Sequence, residues 1–134
     1  MVLLVQKEVA ERIVARDGKE SVLSISVKAF GAPHLVSKVP RGAFTPAPNV
    51  DSAILTIDNI SAERLGCEPE KIRRFFEILK AGFAHKRKFA LRNLEIALGG
   101  QDQALQIWER AGLDKKVRAE DLSLEQWLKI SSAI

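Results

Sequence analysis

The hydrophobic pattern of this 134-residue chain changes near residue 60, and this change limits the folds open to it. Upstream, short apolar runs at residues 2–5, 35–39 and 50–57 are too brief for helices and predict strands. Downstream, apolar side chains recur every three or four residues, which predicts helices. We therefore expect an α+β protein in which the strands come first and the helices follow.

Local signals refine this outline. The run at residues 2–5 leads directly into a helical pattern over 7–15, an order typical of a strand–helix unit from a parallel sheet. Residues 22–30 alternate imperfectly, and β-propensity alone favours a strand there. In the rear part, Pro69 marks the first turn of one helix, and Ser123 with Gln126 forms the capping box of another.

Composition excludes several classes of protein. The longest apolar runs fall far short of the ~20 residues that span a bilayer, and no basic-then-apolar leader opens the sequence. The single cysteine, Cys67, forms no internal disulfide, and with only two distant histidines it offers no zinc-ligand spacing. We therefore expect a cytoplasmic protein without a metal site or a membrane segment.

The positive charge is concentrated in one segment. Residues 71–92 contain eight basic residues and one acidic residue, a net charge of +7, whereas the remaining residues sum to −3. Such a concentration favours a polyanionic partner. We predict an amphipathic helix here, with a break or kink near Gly82. The residues predicted to bind RNA phosphates are Arg74, Lys86, Arg87, Lys88 and Arg92.

A proline-containing loop precedes the third predicted strand. Pro46 and Pro48 restrict their own backbone and that of the residues before them, so the loop is expected to be stiff and extended. It carries one large apolar side chain, Phe44. Two interpretations stay open: Phe44 fills a core, or it is a preorganised aromatic that loses little entropy on meeting a ligand.

Taken together, these motifs resemble the C-terminal half of the small-subunit ribosomal RNA adenine dimethyltransferases, the KsgA family. The matching blocks are residues 4–12, Val39-Pro40, the string Ala43-Phe-Thr-Pro-Ala-Pro-Asn-Val-Asp-Ser-Ala53, Phe83 with Lys86-Arg87-Lys88 and Asn93-Leu94, and residues 118–123. The resemblance runs the whole length of the chain. The family usually has arginine where Lys86 stands and asparagine where Arg92 stands; Lys86 keeps the charge but lacks the planar fork of arginine.

The resemblance implies a fold and a function. Residues 1–59 would be the C-terminal strands and helices of a Rossmann-like methyltransferase domain, with a helix over 21–32, and residues 60–134 a small all-helical rRNA-binding domain. The family's S-adenosylmethionine loop and its Asn-Leu-Pro-Tyr catalytic motif are not matched in this sequence. The chain is therefore expected to be a fragment of an S-adenosylmethionine-dependent 16S rRNA adenine dimethyltransferase that binds no cofactor alone.

The resemblance also assigns partners and leaves alternatives. Phe44 matches the family's base-facing aromatic, so it is expected to stack on the target adenine. The rear helices would orient the enzyme on small-subunit rRNA or the 30S particle, and an open sheet would allow self-association. One alternative is a non-catalytic RNA-binding or ribosome-assembly module. Another is a helical interaction domain whose charge is incidental.

Overall fold

The computed structural model describes residues 1–133, and the predicted change from strands to helices near residue 60 is confirmed. The elements in chain order are β1 (Val2–Gln6), α1 (Lys7–Ile13), α2 (Val22–Phe30), β2 (Ala32–Val39), β3 (Ser52–Asp58), α3 (Pro69–Gly82), α4 (Ala90–Leu94), α5 (Gln101–Arg110) and α6 (Leu124–Ser132). None of the helices in this described part is long and apolar enough to cross a membrane.

The three strands form one sheet in the order β1-β3-β2, and both neighbouring pairs are antiparallel. Leu3 and Leu35 both face Leu55 across the central strand. Neighbouring strands among the described residues thus include no parallel pair, although α1 follows β1 directly as expected. Since β1 and β2 are each antiparallel to β3, they run in the same direction and are connected through α1 and α2. Strand β3 runs in the opposite direction, lies between them and pairs with both.

The strand expected from β-propensity at residues 22–30 is wrong, and the helix implied by the family resemblance is confirmed as α2. The Ser21 side chain accepts a hydrogen bond from the backbone N–H of Ser24 (3.1 Å), and the Ser24 side chain accepts one from the N–H of Ser21 (2.8 Å). This reciprocal cap satisfies two backbone donors that a helix start leaves free. Ile25 and Ala29, four residues apart, are fully buried on the inner side of the helix.

Two hydrophobic clusters hold the chain together. One lies on the sheet around Ile13, Leu55 and Ile57, and the larger one lies among the rear helices. Helix α2 packs into both, because Leu23 and Val27 contact the sheet cluster while Ile25 and Ala29 belong to the helical one. The division into residues 1–59 and 60–134 stays a prediction, since α2 joins the two parts.

Polar contacts reinforce this junction. The backbone N–H of Glu20 donates to the Glu120 carbonyl at 2.8 Å. The Lys19 ammonium lies 2.6 Å from an Asp121 carboxylate oxygen, and this partner raises the pKa of Lys19 above its ordinary value. Both residues of the ion pair are exposed, so we assign it a role in orientation and little in stability.

The other face of the sheet has no covering helix among the described residues. Helices α1 and α2 pack on the side of Leu3 and Val5, whereas Val2, Leu4 and Val36 are exposed. Strands β1 and β2 are both edge strands of this sheet. An exposed apolar face beside open edges is the kind of surface that pairs with another chain or segment.

Candidate nucleic-acid interface

The predicted break in the basic segment is confirmed, because α3 ends at Gly82. Gly82 is buried against the indole of Trp127, and a Cβ placed on it would lie 2.9 Å from Trp127 Cζ3 and closer still to Cη2. The next side chain, Phe83, stacks on the same indole with 5.6 Å between ring centroids. The close approach of Trp127 thus leaves room only for a glycine at the last position of α3.

Residues 83–89 follow as an irregular segment, which we call the basic loop. Asn93 on α4 holds its shape: its side-chain N–H₂ donates to the Gly82 carbonyl (2.8 Å) and to the His85 carbonyl (3.0 Å). The loop closes with a turn in which the Lys88 N–H donates to the His85 carbonyl, at 3.1 Å. Because both carbonyls are hydrogen-bond acceptors, the NH₂ end of the Asn93 side chain, and not its oxygen, points at them.

The structure corrects the expectation of a basic helix at Lys86, Arg87 and Lys88. These three residues lie in the basic loop between α3 and α4, and all three are exposed. Consecutive residues in a turn project in different directions, so these three cations do not share one helical face. All three side chains are exposed to solvent, where phosphates can reach them.

Ion pairing separates these three cations from their neighbours. On α3 and α4, four cations each have a carboxylate within 4.0 Å, three or four residues away: Lys71, Arg73, Arg74 and Arg92. Glu70 raises the pKa of Arg73, with a further contribution from Glu77. Within residues 1–133, no ion pair involves Lys86, Arg87 or Lys88. The excess charge counted in the sequence is therefore available mainly in the basic loop.

The other two predicted contacts lie in different surroundings. Arg74 is half-buried, and its guanidinium donates to the Ala97 carbonyl at 2.7 Å, which ties α3 to the segment after α4. Arg92 is exposed and, with Lys88, lines an open depression of about 540 Å³ that also includes His85 and Asn93. Arg92 thus lies beside the basic loop, whereas Arg74 connects two parts of the fold.

Phe44 lies in the loop of residues 40–51 between β2 and β3, which we call the proline loop. The Asp51 carboxylate closes the base of this loop by accepting a hydrogen bond from the Arg41 N–H at 2.9 Å, and the Thr45–Pro46 bond is cis. Phe44 is half-buried and is not part of either hydrophobic cluster. Its half-buried position in a loop, outside both clusters, disfavours the interpretation of Phe44 as a core residue.

A second group of cations lies at the same end of the sheet. Lys7 follows β1 and Lys38 is near the end of β2, and the proximity of Lys7 lowers the pKa of Lys38 below its ordinary value. Arg41, at the start of the proline loop, lines a depression together with Lys7 and Asn49. Sequence reasoning missed this group because its members are far apart along the chain and only the sheet brings them together.

The whole chain is similar in sequence to proteins that modify ribosomal RNA. Residues 1–134 match the family model described as ribosomal RNA adenine dimethylase. A protein named ribosomal RNA small subunit methyltransferase A from Dehalococcoides mccartyi (strain CBDB1) is 44% identical over 131 residues, covering 97% of this chain and 44% of the relative. Its namesake in Synechocystis sp. (strain ATCC 27184 / PCC 6803 / Kazusa) is 38% identical over 136 residues, covering 100% and 46%. The chain thus spans less than half the length of these relatives.

Solved structures agree with the fold. A dimethyladenosine transferase from Plasmodium falciparum superposes with a TM-score of 0.79 at 26% identity, covering 96% of this chain and 54% of that one. The 23S rRNA methyltransferase ErmE superposes with a TM-score of 0.70 at 22% identity, covering 98% and 53%. At that lower identity the likeness concerns the fold alone.

Proposed function

This chain belongs to the ribosomal RNA adenine dimethylase family, and from that premise we propose that it contributes rRNA binding and part of the target-adenine pocket to an S-adenosylmethionine-dependent 16S rRNA adenine dimethyltransferase. The observation that carries the proposal is the basic loop, whose three exposed cations have no carboxylate partner within residues 1–133. A cation without a carboxylate partner can bind a phosphate without breaking an ion pair, whereas a paired cation must first give up its carboxylate.

The described residues do not fit the cofactor that the family implies. A nucleotide cofactor needs a strand followed by a glycine-containing turn that lets the backbone approach it, with a helix N-terminus behind. In this chain β1 leads into α1 through Gln6 and Lys7 with no glycine. The proline loop after β2 contains Gly42 but leads to another strand, and residues 59–68 separate β3 from α3, so neither glycine-containing loop is a short strand-to-helix turn. We therefore derive no step through S-adenosylmethionine, and we propose that this chain alone does not bind it.

The chain's own contribution is to bind and to position. Contacts from the basic loop to phosphates orient the RNA without reading its sequence. An enzyme that modifies a base must take it out of its stack, and an aromatic side chain on a closed loop gives the displaced base a surface. Phe44 has the partial exposure that this role requires, and the cations Lys7, Lys38 and Arg41 at the same end of the sheet offer contacts to the adjacent backbone.

Removal of the loop charges tests the rRNA-binding proposal. A Lys86/Arg87/Lys88→Ala variant is expected to bind a small-subunit rRNA fragment more weakly, with a salt dependence shallower by about 2 to 3 units because each phosphate contact contributes ~0.7–0.9 to the slope. Filter binding at several salt concentrations measures this. The matched control is Arg110/Lys115/Lys116→Ala, which removes the same charges from another exposed region. Equal slopes in the loop variant and the wild type would contradict the proposal.

Phe44→Ala tests the adenine pocket. We expect the free energy of unfolding to change far less than the ~3–5 kcal/mol typical of a core phenylalanine, for which Phe75→Ala is the control because Phe75 is only 2% exposed. Fused to the front half of a relative, the chain should support methyl transfer that Phe44→Ala slows about 5- to 150-fold, as ~1–3 kcal/mol of stacking implies. An active but strongly destabilised variant would make Phe44 a core residue.

The poor fit to the cofactor favours one alternative, a non-catalytic RNA-binding or ribosome-assembly module acting on the 30S particle. It uses the same basic loop, and activity of the fused enzyme separates it from the first proposal. We further propose self-association through the uncovered sheet face of Val2, Leu4 and Val36, which sedimentation at several concentrations measures. A cytoplasmic location is proposed on the basis of the rRNA substrate.

A further inference from the structure

One exposed aromatic side chain is present in the basic loop. All eight aromatic residues of the chain lie among the described residues, and of these only Phe89 is exposed, with 42% of its surface accessible. The others are buried or half-buried. Phe89 is not among the buried and half-buried residues that form the two hydrophobic clusters. Membership of a core therefore does not explain a phenylalanine at this position.

Local helix chemistry gives no reason either. Phe89 is the N-cap residue of α4, a position that favours serine, threonine, aspartate or asparagine because their side chains accept a backbone hydrogen bond. No side-chain hydrogen bond caps this helix. A small polar residue at this position would support the fold better than a large apolar ring. Contact with a ligand would explain the ring where the fold does not.

The surroundings of the ring indicate the chemistry of that ligand. Lys88 precedes it and is exposed without an ion pair in the described residues. Arg92 follows about one helical turn later; it lies 3.6 Å from the Glu95 carboxylate, and 65% of its side chain is exposed. A flat apolar ring between cations is the arrangement with which proteins bind unpaired nucleotides: the ring stacks on a base while the cations contact the flanking phosphates.

We propose that Phe89 is a stacking platform for an unpaired RNA base, so that the basic loop selects RNA loops or bulges over continuous duplex. This inference rests on the proposed rRNA-binding function and adds to it the class of RNA structure recognised. In a duplex the bases are stacked on each other and only phosphates and groove edges are accessible. In a loop one base can turn out onto the ring.

The test compares two RNAs of equal length, a hairpin with 2-aminopurine in its loop and a fully paired duplex. Phe89→Thr supplies a capping oxygen and keeps every charge, so its unfolding temperature is expected not to fall. Its affinity for the hairpin should fall about 5- to 150-fold, its affinity for the duplex should stay unchanged, and the salt dependence should keep its slope. The quenching of 2-aminopurine fluorescence seen with the wild type should disappear.

Two further variants complete the test. Phe89→Trp should retain hairpin binding, because its ring is larger. Ile60→Ala, which removes an exposed apolar side chain outside the basic loop and its depression, should leave hairpin binding unchanged. Wild-type affinity and quenching in Phe89→Thr would overturn the inference, as would equal losses for hairpin and duplex. The Lys86/Arg87/Lys88→Ala variant separates the two proposals: weaker binding to both RNAs supports the rRNA-binding function whatever Phe89 does.

Discussion

Replacement of Trp127 by alanine is expected to lower the free energy of unfolding by about 3–5 kcal/mol, a large fraction of the stability of a small domain. Trp127 is fully buried, and its indole lies between α6 and the end of α3, where it contacts Gly82 and stacks on Phe83. A cavity of that size in the rear cluster would not close, because the other buried residues of α3 and α6 hold both helices in place. Urea unfolding followed by circular dichroism measures the loss.

A comparison of the two tryptophans provides the control. The buried Nε1–H of Trp127 has no hydrogen-bond partner in the structure, whereas the Nε1–H of Trp108 donates to the Asp114 carbonyl at 2.9 Å. Trp127→Phe removes an unsatisfied donor, while Trp108→Phe breaks the shorter of the two hydrogen bonds that the Asp114 carbonyl accepts, the other being from the Val117 N–H at 3.3 Å. The Trp108 variant should therefore be the less stable of the two. The reverse order would contradict the hydrogen-bond assignment.

Gly82→Ala is expected to destabilise the chain by about 1–3 kcal/mol, although alanine is the better helix former by ~1 kcal/mol. The added methyl group would overlap the six-membered ring of Trp127, which is rigid and fully buried. Displacement of that ring would also move the Gly82 carbonyl to which Asn93 donates. The basic loop would then lose part of its support, so RNA affinity should fall together with stability.

A double-mutant cycle isolates this contact. Phenylalanine lacks the outer ring atoms of the indole that the methyl group would meet, so in a Trp127→Phe background Gly82→Ala should be neutral or stabilising. Thermal or urea unfolding of the four proteins measures the coupling. If Gly82→Ala stabilises the wild type, or costs the same in both backgrounds, the steric explanation of the glycine at the helix end is wrong.

Signals that act over three or four residues can be read from the sequence. Ser123 and Gln126 form the predicted reciprocal cap, with hydrogen bonds of 3.3 and 2.9 Å, and Pro69 occupies the first turn of α3. The glycine itself predicts the helix end at Gly82, but the group that leaves no room for a side chain there, the indole of Trp127, lies 45 residues further along the chain. The position of the glycine can be read locally, whereas the contact that requires a glycine there comes from a distant part of the chain.

Residues 22–30 show how a local preference fails. Their valines, isoleucine and serines suit a strand, yet Ser21 and Ser24 form a helix cap, and burial of Ile25 and Ala29 against the rear helices favours the helical spacing. The capping residues are visible in the sequence, but the burial is not. The antiparallel sheet order escapes prediction for the same reason, since β1 and β3 pair across some fifty residues.

For the candidate site, the sequence by itself determined the family, the amount of positive charge and the segment that carries it. Only the tertiary structure decided which charges are free. Carboxylates on or beside the same helices pair with Lys71, Arg73, Arg74 and Arg92, and a carbonyl 23 residues away also accepts a hydrogen bond from Arg74. Asn93 supports the exposed loop that carries Lys86, Arg87 and Lys88. The physical reason is that charge is a property of each residue, whereas hydrogen bonding and exposure depend on neighbours that folding brings from elsewhere in the chain.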